Sequence, residues 1–433
     1  MNDLITLYIL NKNYSIFLEK SIKSALNQTY SNLDIIIIDD GSSDDSLRII
    51  QKYQKNTKIR IITNKKSIGL PKSANIAIRA AKGKYIIRLD ADDIMHKSCV
   101  EKLYNKIIKE KNAAIIYPNY YIINTAGNIV SKNKEIDIQK NKLREPILAA
   151  CCLIKVSALL EVGLYNEKYS RQDGYDIWYK IIKNYKIIYL NQYLFYYRKH
   201  SKNLTSNKIS LLKARSTILY NFSKAKIKLN KINIVLICRD KSVENINVLK
   251  KINNKTFLDH AIKDSLECKF KKKTYLISES HEILKHVKKK YKKKVIIYKR
   301  KTEDAQLNKE FNPLLLNIFN NNNCDILIII QPNYFFDRAH YIEQGLSKLL
   351  INNLDKVITT SIQNINENFY KLSKNGIKLI SNNNEKKLKL LKNSIFKETG
   401  GVTIYNFNSY KKNKIKKTGN IIVENNEIKS LIK

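Results

Sequence analysis

The sequence predicts an α/β protein built from two doubly wound, Rossmann-like domains. Short apolar runs alternate with amphipathic helical stretches from the first residues, the alternation breaks after His200 and restarts at Ile232, and 433 residues exceed one ordinary core. Continuous Ile and Leu runs suit strands covered on both faces, and helical crossovers between them imply parallel pairing.

In chain order the first series reads "LITLYIL", "SIFLEKSIKSALNQ", "LDIIIID", "DSLRIIQKYQKN", "IRIIT", "PKSANIAIRAAKG" and "YIIRLDADD", which is strand, helix, strand, helix, strand, helix, strand. After "LFYYRKH" comes the lysine-rich helix "KISLLKARSTILYNFSKAKIKLNK". A second series follows: "INIVLIC", "FLDHAIKDSLECKF", "KTYLISES", "EILKHVKKKYKKK", "VIIYKR" and "DILIIIQP". The expected organisation is a domain over 1–221, a linker over 222–231 and a domain over 232–433. Asparagine tracts at 320–323 and 381–389 read as solvated loops.

The net charge of +42 is nearly all lysine, spread along the chain and accompanied by abundant Asn and Ile, as AT-rich codons would produce. No arginine cluster or aromatic platform accompanies it, so nucleic acid is not expected as the main partner. A basic face against anionic lipid headgroups fits the charge better. The cysteines Cys99, Cys151, Cys152, Cys238, Cys268 and Cys324 show no C-x-x-C spacing and mostly lie in apolar runs, which fits reduced core residues rather than zinc ligands or disulfides. No apolar run reaches bilayer-spanning length and the N-terminus has no basic leader, so the expected location is the cytoplasm, with peripheral contact at the inner face of the membrane as an addition.

Chemistry enters where apolar strands end in acid. "IIIIDDGSSDDS" delivers Asp39 and Asp40 into a glycine and serine turn, and "RLDADD" ends a later strand with Asp90 and Asp92 flanking one alanine. In a doubly wound sheet both ends lie on the same side, where ligand crevices form. Residues two apart on an extended segment point the same way, so the two carboxylates can approach one divalent cation. Asp40–Ser46 could equally turn the chain and cap the next helix, and a D-x-D pair is also common in surface turns.

Taken in order, "NKNYSIFLEKSIKSALNQTYSNLDIIIIDDGSSDDS", "IGLPKSANIAIRAAKGKYIIRLDADD", "GLYNEKYSRQDGYDIWYK" and "YYRKHSKNLTS" resemble the family 2 inverting glycosyltransferases of GT-A type. The resemblance implies a nucleotide-diphosphate sugar donor and Mg²⁺ or Mn²⁺. It implies that Asp40 contacts the nucleotide base with Asp39 beside it, that Asp90 lies by the ribose and sugar, and that Asp92 ligates the metal. Asp173 of "RQDGYDIW" is the implied base, with Gln172 at the family's Glu position and Asp176 three residues on; Asp173 could also simply cap its helix. His200 resembles the family's histidine near the metal or diphosphate, although a loop histidine is often just exposed. Asn13 falls in the first loop, where Leu10 replaces the family's threonine. Gly69 and Asn75 match the helix start lining the donor cleft, and Asn75 could instead face the sheet.

From Ile232 onward "IVLICRDKS", "KTFLDHAIKDSL", "ILIIIQPNYFFDR" and "ETGGVTIYN" resemble the acylneuraminate cytidylyltransferases. An ungapped match sets Lys241 at the family's phosphate-loop glycine and Val243 and Val248 at its lysines. The sequence also stops before the family's metal-binding aspartates would come. The expectation is a catalytically lost relative kept for dimerisation or scaffolding; nucleotide binding without turnover and a working CMP-sugar synthetase are the alternatives. The whole chain is expected to transfer a sugar to a hydroxyl of a glycan or lipid-linked acceptor in surface polysaccharide synthesis, the competing functions being a bifunctional enzyme or a glycan-biosynthesis scaffold.

Overall fold

The computed structural model describes residues 2–135, 150–169, 173–201, 203–204, 207–240, 247–305, 312–320, 324–335, 338–362, 369–373, 376–380, 396–423 and 429–430. The chain divides into two compact units, Met1–Ile218 and Leu219–Lys433. The division falls inside one long helix, Lys208–Leu229, so most of the segment expected as a polar linker is helical.

The first unit opens with the expected series: β1 (Ile5–Asn11), α1 (Ser15–Leu26), β2 (Leu33–Asp39), α2 (Ser46–Gln51), β3 (Ile59–Thr63), α3 (Leu70–Ala80) and β4 (Tyr85–Asp90). Then follow β5 (Ile94–Met95), α4 (Cys99–Ile107), β6 (Ala113–Ile123), β7 (Ile129–Asn133), β8 (Leu153–Lys155), α5 (Val156–Glu161), α6 (Asp173–Ile181), β9 (Lys186–Arg198) and α7, the long helix. Strands β3-β2-β1-β4 are mutually parallel, as the crossovers require. Beyond β4 the sheet departs from the doubly wound expectation. The three-residue β8 pairs antiparallel with both β4 and β6, and β9 pairs parallel with β6. The sheet is therefore mixed.

Apolar residues fill both faces, as continuous Ile runs demand. Ile35 and Ile37 of β2 pack on one side with Leu18, Ile22 and Leu103, while Ile36 and Ile38 pack on the other with Ala74, Ile78 and Trp178. Successive residues of one strand thus serve opposite layers, which leaves the strand ends as the place where polar side chains can cluster.

The second unit has its own sheet, among whose described strands Ile326–Ile330 is central, with Ile232–Ile237 beside it. Ile296–Lys299, Lys273–Ser278, Ile232–Ile237 and Ile326–Ile330 run parallel in that order; Phe396–Asn406 follows antiparallel, then Lys356–Ile362 antiparallel to it, then Thr418–Ile422 parallel to the last. Numbered in chain order within each unit, the first seven strands of both paths share one order and one set of senses: third, second, first and fourth strands parallel, then a late antiparallel strand, then an earlier one, then one parallel to it; the first unit adds β5 beyond β9. All six cysteines are buried and free.

Candidate active site at the carboxyl edge of the first sheet

The carboxyl ends of β1, β2 and β4 meet at one edge, where the alignment Asn11↔Asp39 and Leu10↔Asp90 brings the two acid turns together. Asp39 is 1% exposed and spends its carboxylate locally. It accepts from Asn11 Nδ2 at 2.7 Å, from Ser42 N at 2.9 Å and from Ser42 Oγ at 2.6 Å. Asn13, with φ of 58°, extends this knot: its amide N donates to Ser42 Oγ and its Oδ1 accepts from Ser43 N.

Asp40 turns the other way. Its carboxylate accepts from Asn64 Nδ2, Ser67 Oγ, Ile68 N, Gly69 N and Ser73 Oγ, all at 2.7–3.1 Å. Burial pushes this carboxyl up, but the Ile68, Ser67, Asn64 and Gly69 donors outweigh it and hold it below the ordinary range. Asp40 therefore anchors the loop that starts α3. Gly69, at φ of 93°, makes the turn into that helix, and Gly41 lies so close to the loop that a Cβ there would stand 2.7 Å from Lys66 C and Ser67 N. Neither aspartate caps α2, whose flanking Asp45 makes no side-chain cap bond.

Asp90 is the more open carboxylate, 28% exposed at its side chain and 3.0 Å from Nε of the buried Arg88. Asp92 faces His200: Oδ2 lies 2.9 Å from Nε2, and Asn203 Nδ2 donates to the same oxygen at 3.2 Å. The His200 ring stacks on Phe17, with centroids 5.3 Å apart, and meets Tyr14 edge to face. His200 is thus held in the site, with a side chain 7% exposed. Asp93, 1% exposed, has its carboxyl raised well above the usual range by burial and by Asp92 and Asp90. The Tyr14 phenol is raised too, by burial first and then by Asp92 and Asp90.

Asn75 sits elsewhere. Its amide donates to Tyr165 O and Glu167 Oε1 and accepts from Tyr165 N, each at 3.0 Å. It is 1% exposed, so a donor contact would require those bonds to be given up. The segment it grips is also held by α6, where Asp176 accepts from Asn166 N and Lys180 donates to Leu164 O. Asn75 thereby helps to fix residues 165–167, which α6 (first residue Asp173) also holds. Gln172 and the side chain of Asp173 lie outside the described residues.

Among the described residues no group of three or more His, Cys, Asp and Glu side chains is placed to hold a metal ion. Asp92 and His200 nonetheless converge as one hard oxygen and one imidazole nitrogen. That pair fits Mg²⁺ or Mn²⁺, whose remaining positions are commonly taken by water and substrate phosphate.

Residues 6–165, which hold all of this edge except His200 and Asn203, match the family model described as glycosyl transferase family 2. An uncharacterized glycosyltransferase of Haemophilus influenzae is 30% identical over 275 residues, covering 58% of this chain and 84% of that protein. The chain belongs to glycosyltransferase family 2. The chain is also 28% identical over 233 residues to an Escherichia coli chondroitin synthase, and that match takes in 53% of this chain but only 34% of the synthase. Among solved structures it is similar to S. aureus TarS 1-349, with a TM-score of 0.42, 15% identity and coverage of 51% of this chain and 65% of that one. Sequence reasoning overlooked Arg198, Asn203, Phe17 and Tyr14 at this edge. The alternation Arg198-x-His200 at a strand end was the available signal for the first.

Proposed function

We propose that this glycosyltransferase is a metal-dependent, inverting enzyme of GT-A type that moves a sugar from a nucleotide diphosphate to a hydroxyl of a glycan or lipid-linked acceptor in surface polysaccharide synthesis. The pairing of Asp92 with His200 beside Asp90 carries this reading, because it sets two metal-compatible donor atoms at the carboxyl edge of a parallel sheet. Asp92 and His200 would hold Mg²⁺ or Mn²⁺, which when bound supplies charge neutralisation for the departing diphosphate.

The remaining work falls to the chain itself. Asp40 keeps the loop before α3 in place around the nucleoside, Asp39 and Asn13 keep the adjoining turn, and Gly69 lets backbone approach. Asp90 hydrogen-bonds ribose and sugar hydroxyls. Asp173 accepts the proton of the acceptor hydroxyl as its oxygen forms the new bond to the anomeric carbon, on the face opposite the breaking bond to phosphate; attack from that face inverts the centre. The acceptor class is supported by the family and by the likeness to a chondroitin synthase. A screen of UDP-, GDP-, dTDP- and CMP-sugars for binding with Mn²⁺ and with EDTA tests the reading: one donor retained only with metal upholds it, and a donor bound equally in EDTA overturns the metal role.

The second unit we read as a cytidylyltransferase-like body without turnover, serving a scaffolding or self-association role. Its strand order supports this, since it repeats the plan of the first unit while Gln331, Pro332 and Asn333 follow the strand Ile326–Ile330 where the first unit has its aspartates. Val248, at an expected lysine position, is 2% exposed and packed inward. Lys241 and Val243 lie outside the described residues. The exposed Lys285, Lys288 and Lys289 of helix His281–Tyr291, followed by exposed Lys292, Lys293 and Lys294, support peripheral contact with anionic membrane, and salt-sensitive cosedimentation with phosphatidylglycerol vesicles tests it. Among the described residues no helix is long and apolar enough to cross a membrane.

A further inference from the structure

Arg198, the last residue of β9, is among the largest fully buried side chains of the chain. A guanidinium keeps its charge under essentially any condition, so removing it from water needs a compensating arrangement. Here that arrangement surrounds Asp92. Arg198 Nε donates to the Asp92 carbonyl at 2.8 Å, and its backbone N donates to Asp93 Oδ1 at 2.8 Å. Nη1 donates to the carbonyls of Asn124 and Thr125, both at 3.0 Å. The guanidinium carbon stands 4.7 Å from the centroid of Phe17, the ring on which His200 stacks. The Arg198 carbonyl accepts from Asn203 Nδ2, which also donates to Asp92 Oδ2.

One buried cation therefore touches the backbone of Asp92, the segment after β6, and the aromatic surface under His200. No direct bond from its guanidinium to the Asp92 carboxylate is needed to control that carboxylate, because the turn 91–93 has few backbone freedoms once the Asp92 carbonyl and the Asp93 side chain are tied. Packing alone would explain an apolar residue here at lower desolvation cost. A residue that bridges three segments with planar, divergent donors is suited to fixing geometry.

We infer that Arg198 is a positioning residue that sets the relative placement of Asp92 and His200 for the metal-bound diphosphate. The inference rests on the donor-site reading of those two residues. Lysine preserves the charge but offers a single nitrogen, which cannot reach the Asp92 carbonyl and the Asn124 and Thr125 carbonyls together.

The test uses the full chain and measures the affinity for UDP, GDP, dTDP and CDP by calorimetry, with Mn²⁺ and with EDTA, in wild type, D92A and R198K, alongside thermal unfolding. In R198K the affinity of the preferred nucleotide with Mn²⁺ should fall about ten- to a hundredfold, as for other groups that orient metal ligands, while its weaker metal-free affinity stays at the wild-type value. A merely structural role lowers the unfolding temperature without separating the two affinities, and that result overturns the inference, as do wild-type affinities in R198K. Should R198K not fold, R198M decides on the same measurement, since it fills the buried position with an unbranched apolar side chain and removes the guanidinium bonds to the Asp92, Asn124 and Thr125 carbonyls. The split in R198M upholds the inference and wild-type affinities in R198M overturn it. Equal Mn²⁺ dependence in D92A and wild type, or none in wild type, is a failure of the donor-site reading instead.

Discussion

Nε2 of His200 stands 2.9 Å from Oδ2 of Asp92 across 108 residues of sequence. Neither residue is on a regular element; each follows a strand end, β4 for the aspartate and β9 for the histidine. Their meeting makes D92A the most direct probe of the proposed donor site. Donor binding should lose its dependence on Mn²⁺ in this variant, while the unfolding temperature falls because the buried His200 and Asn203 side chains lose their shared acceptor. Calorimetry with and without EDTA checks it.

Asp173 acts on the acceptor in the proposed mechanism, so D173N should separate the two substrates. Donor affinity stays near wild type, and the rate of sugar transfer falls about 10²- to 10⁴-fold, the span usual for loss of a general base. Transfer at the wild-type rate would leave Asp173 as a helix cap. Asp176 is a poor replacement, since it is 2% exposed and already pairs with Lys180 at 2.7 Å.

Asp40 carries a pH signature. Its folded-state carboxyl titrates below the ordinary range, so its stabilisation is present above the unfolded value and disappears as pH falls through the lower folded value. D40N replaces an acceptor for Ile68 N and Gly69 N with an amide whose NH₂ meets donors. It should destabilise the first unit by about 2–4 kcal/mol at pH 7, with the gap to wild type narrowing below about pH 4. Thermal unfolding across pH 3 to pH 7 measures both.

Glu135 has the opposite sign. It is 9% exposed beside Tyr117, Tyr120, Cys152 and Phe195, and burial pushes its carboxyl from 4.5 up to about 7. The folded chain holds this proton more tightly than the unfolded one, so stability is full below the unfolded value and is lost as pH rises through 7. The cost at pH 8 is about 3 kcal/mol by linkage. E135Q should therefore raise the unfolding temperature at pH 8 and leave it nearly unchanged at pH 4.5.

The full chain should form no CMP-sugar from CTP and a nonulosonic acid in the presence of Mg²⁺. On the proposed reading of the second unit, buried Val248 stands at a phosphate-binding lysine's position, and the strand Ile326–Ile330 leads into Gln331 rather than an acidic pair. Release of pyrophosphate dependent on the added acid sugar would make the second unit an active synthetase.

Much of this was legible in the residues themselves. The runs "LDIIIID" and "YIIRLD" read as buried strands because they are short, rich in β-branched Ile and bounded by turn residues, and their acidic ends marked the edge where the polar side chains cluster. The strands β6, β8 and β9 were not read. β8 has three residues and β6 carries Pro118, and sheet membership for such segments depends on partners far away in sequence.

What the sequence by itself determined was local: strand and helix periods, the acidic turns, and which residue types stood at the strand ends. The tertiary structure decided where each polar group spends its hydrogen bonds. Asp39 and Asn13 lock their own turn, Asp40 holds the start of α3, and Asn75 grips Tyr165 and Glu167 rather than opening to the crevice. Arg198 was marked in the sequence by no more than its alternation with His200, and the four hydrogen bonds it donates and the Phe17 ring came into view only in the fold. The physical reason is one of range. Periodicity is written into neighbouring residues, whereas a buried polar side chain is satisfied by whichever donors and acceptors the folded chain brings within about 3 Å, and these come from segments that the sequence separates by up to 106 residues in the case of Arg198 and Asp92.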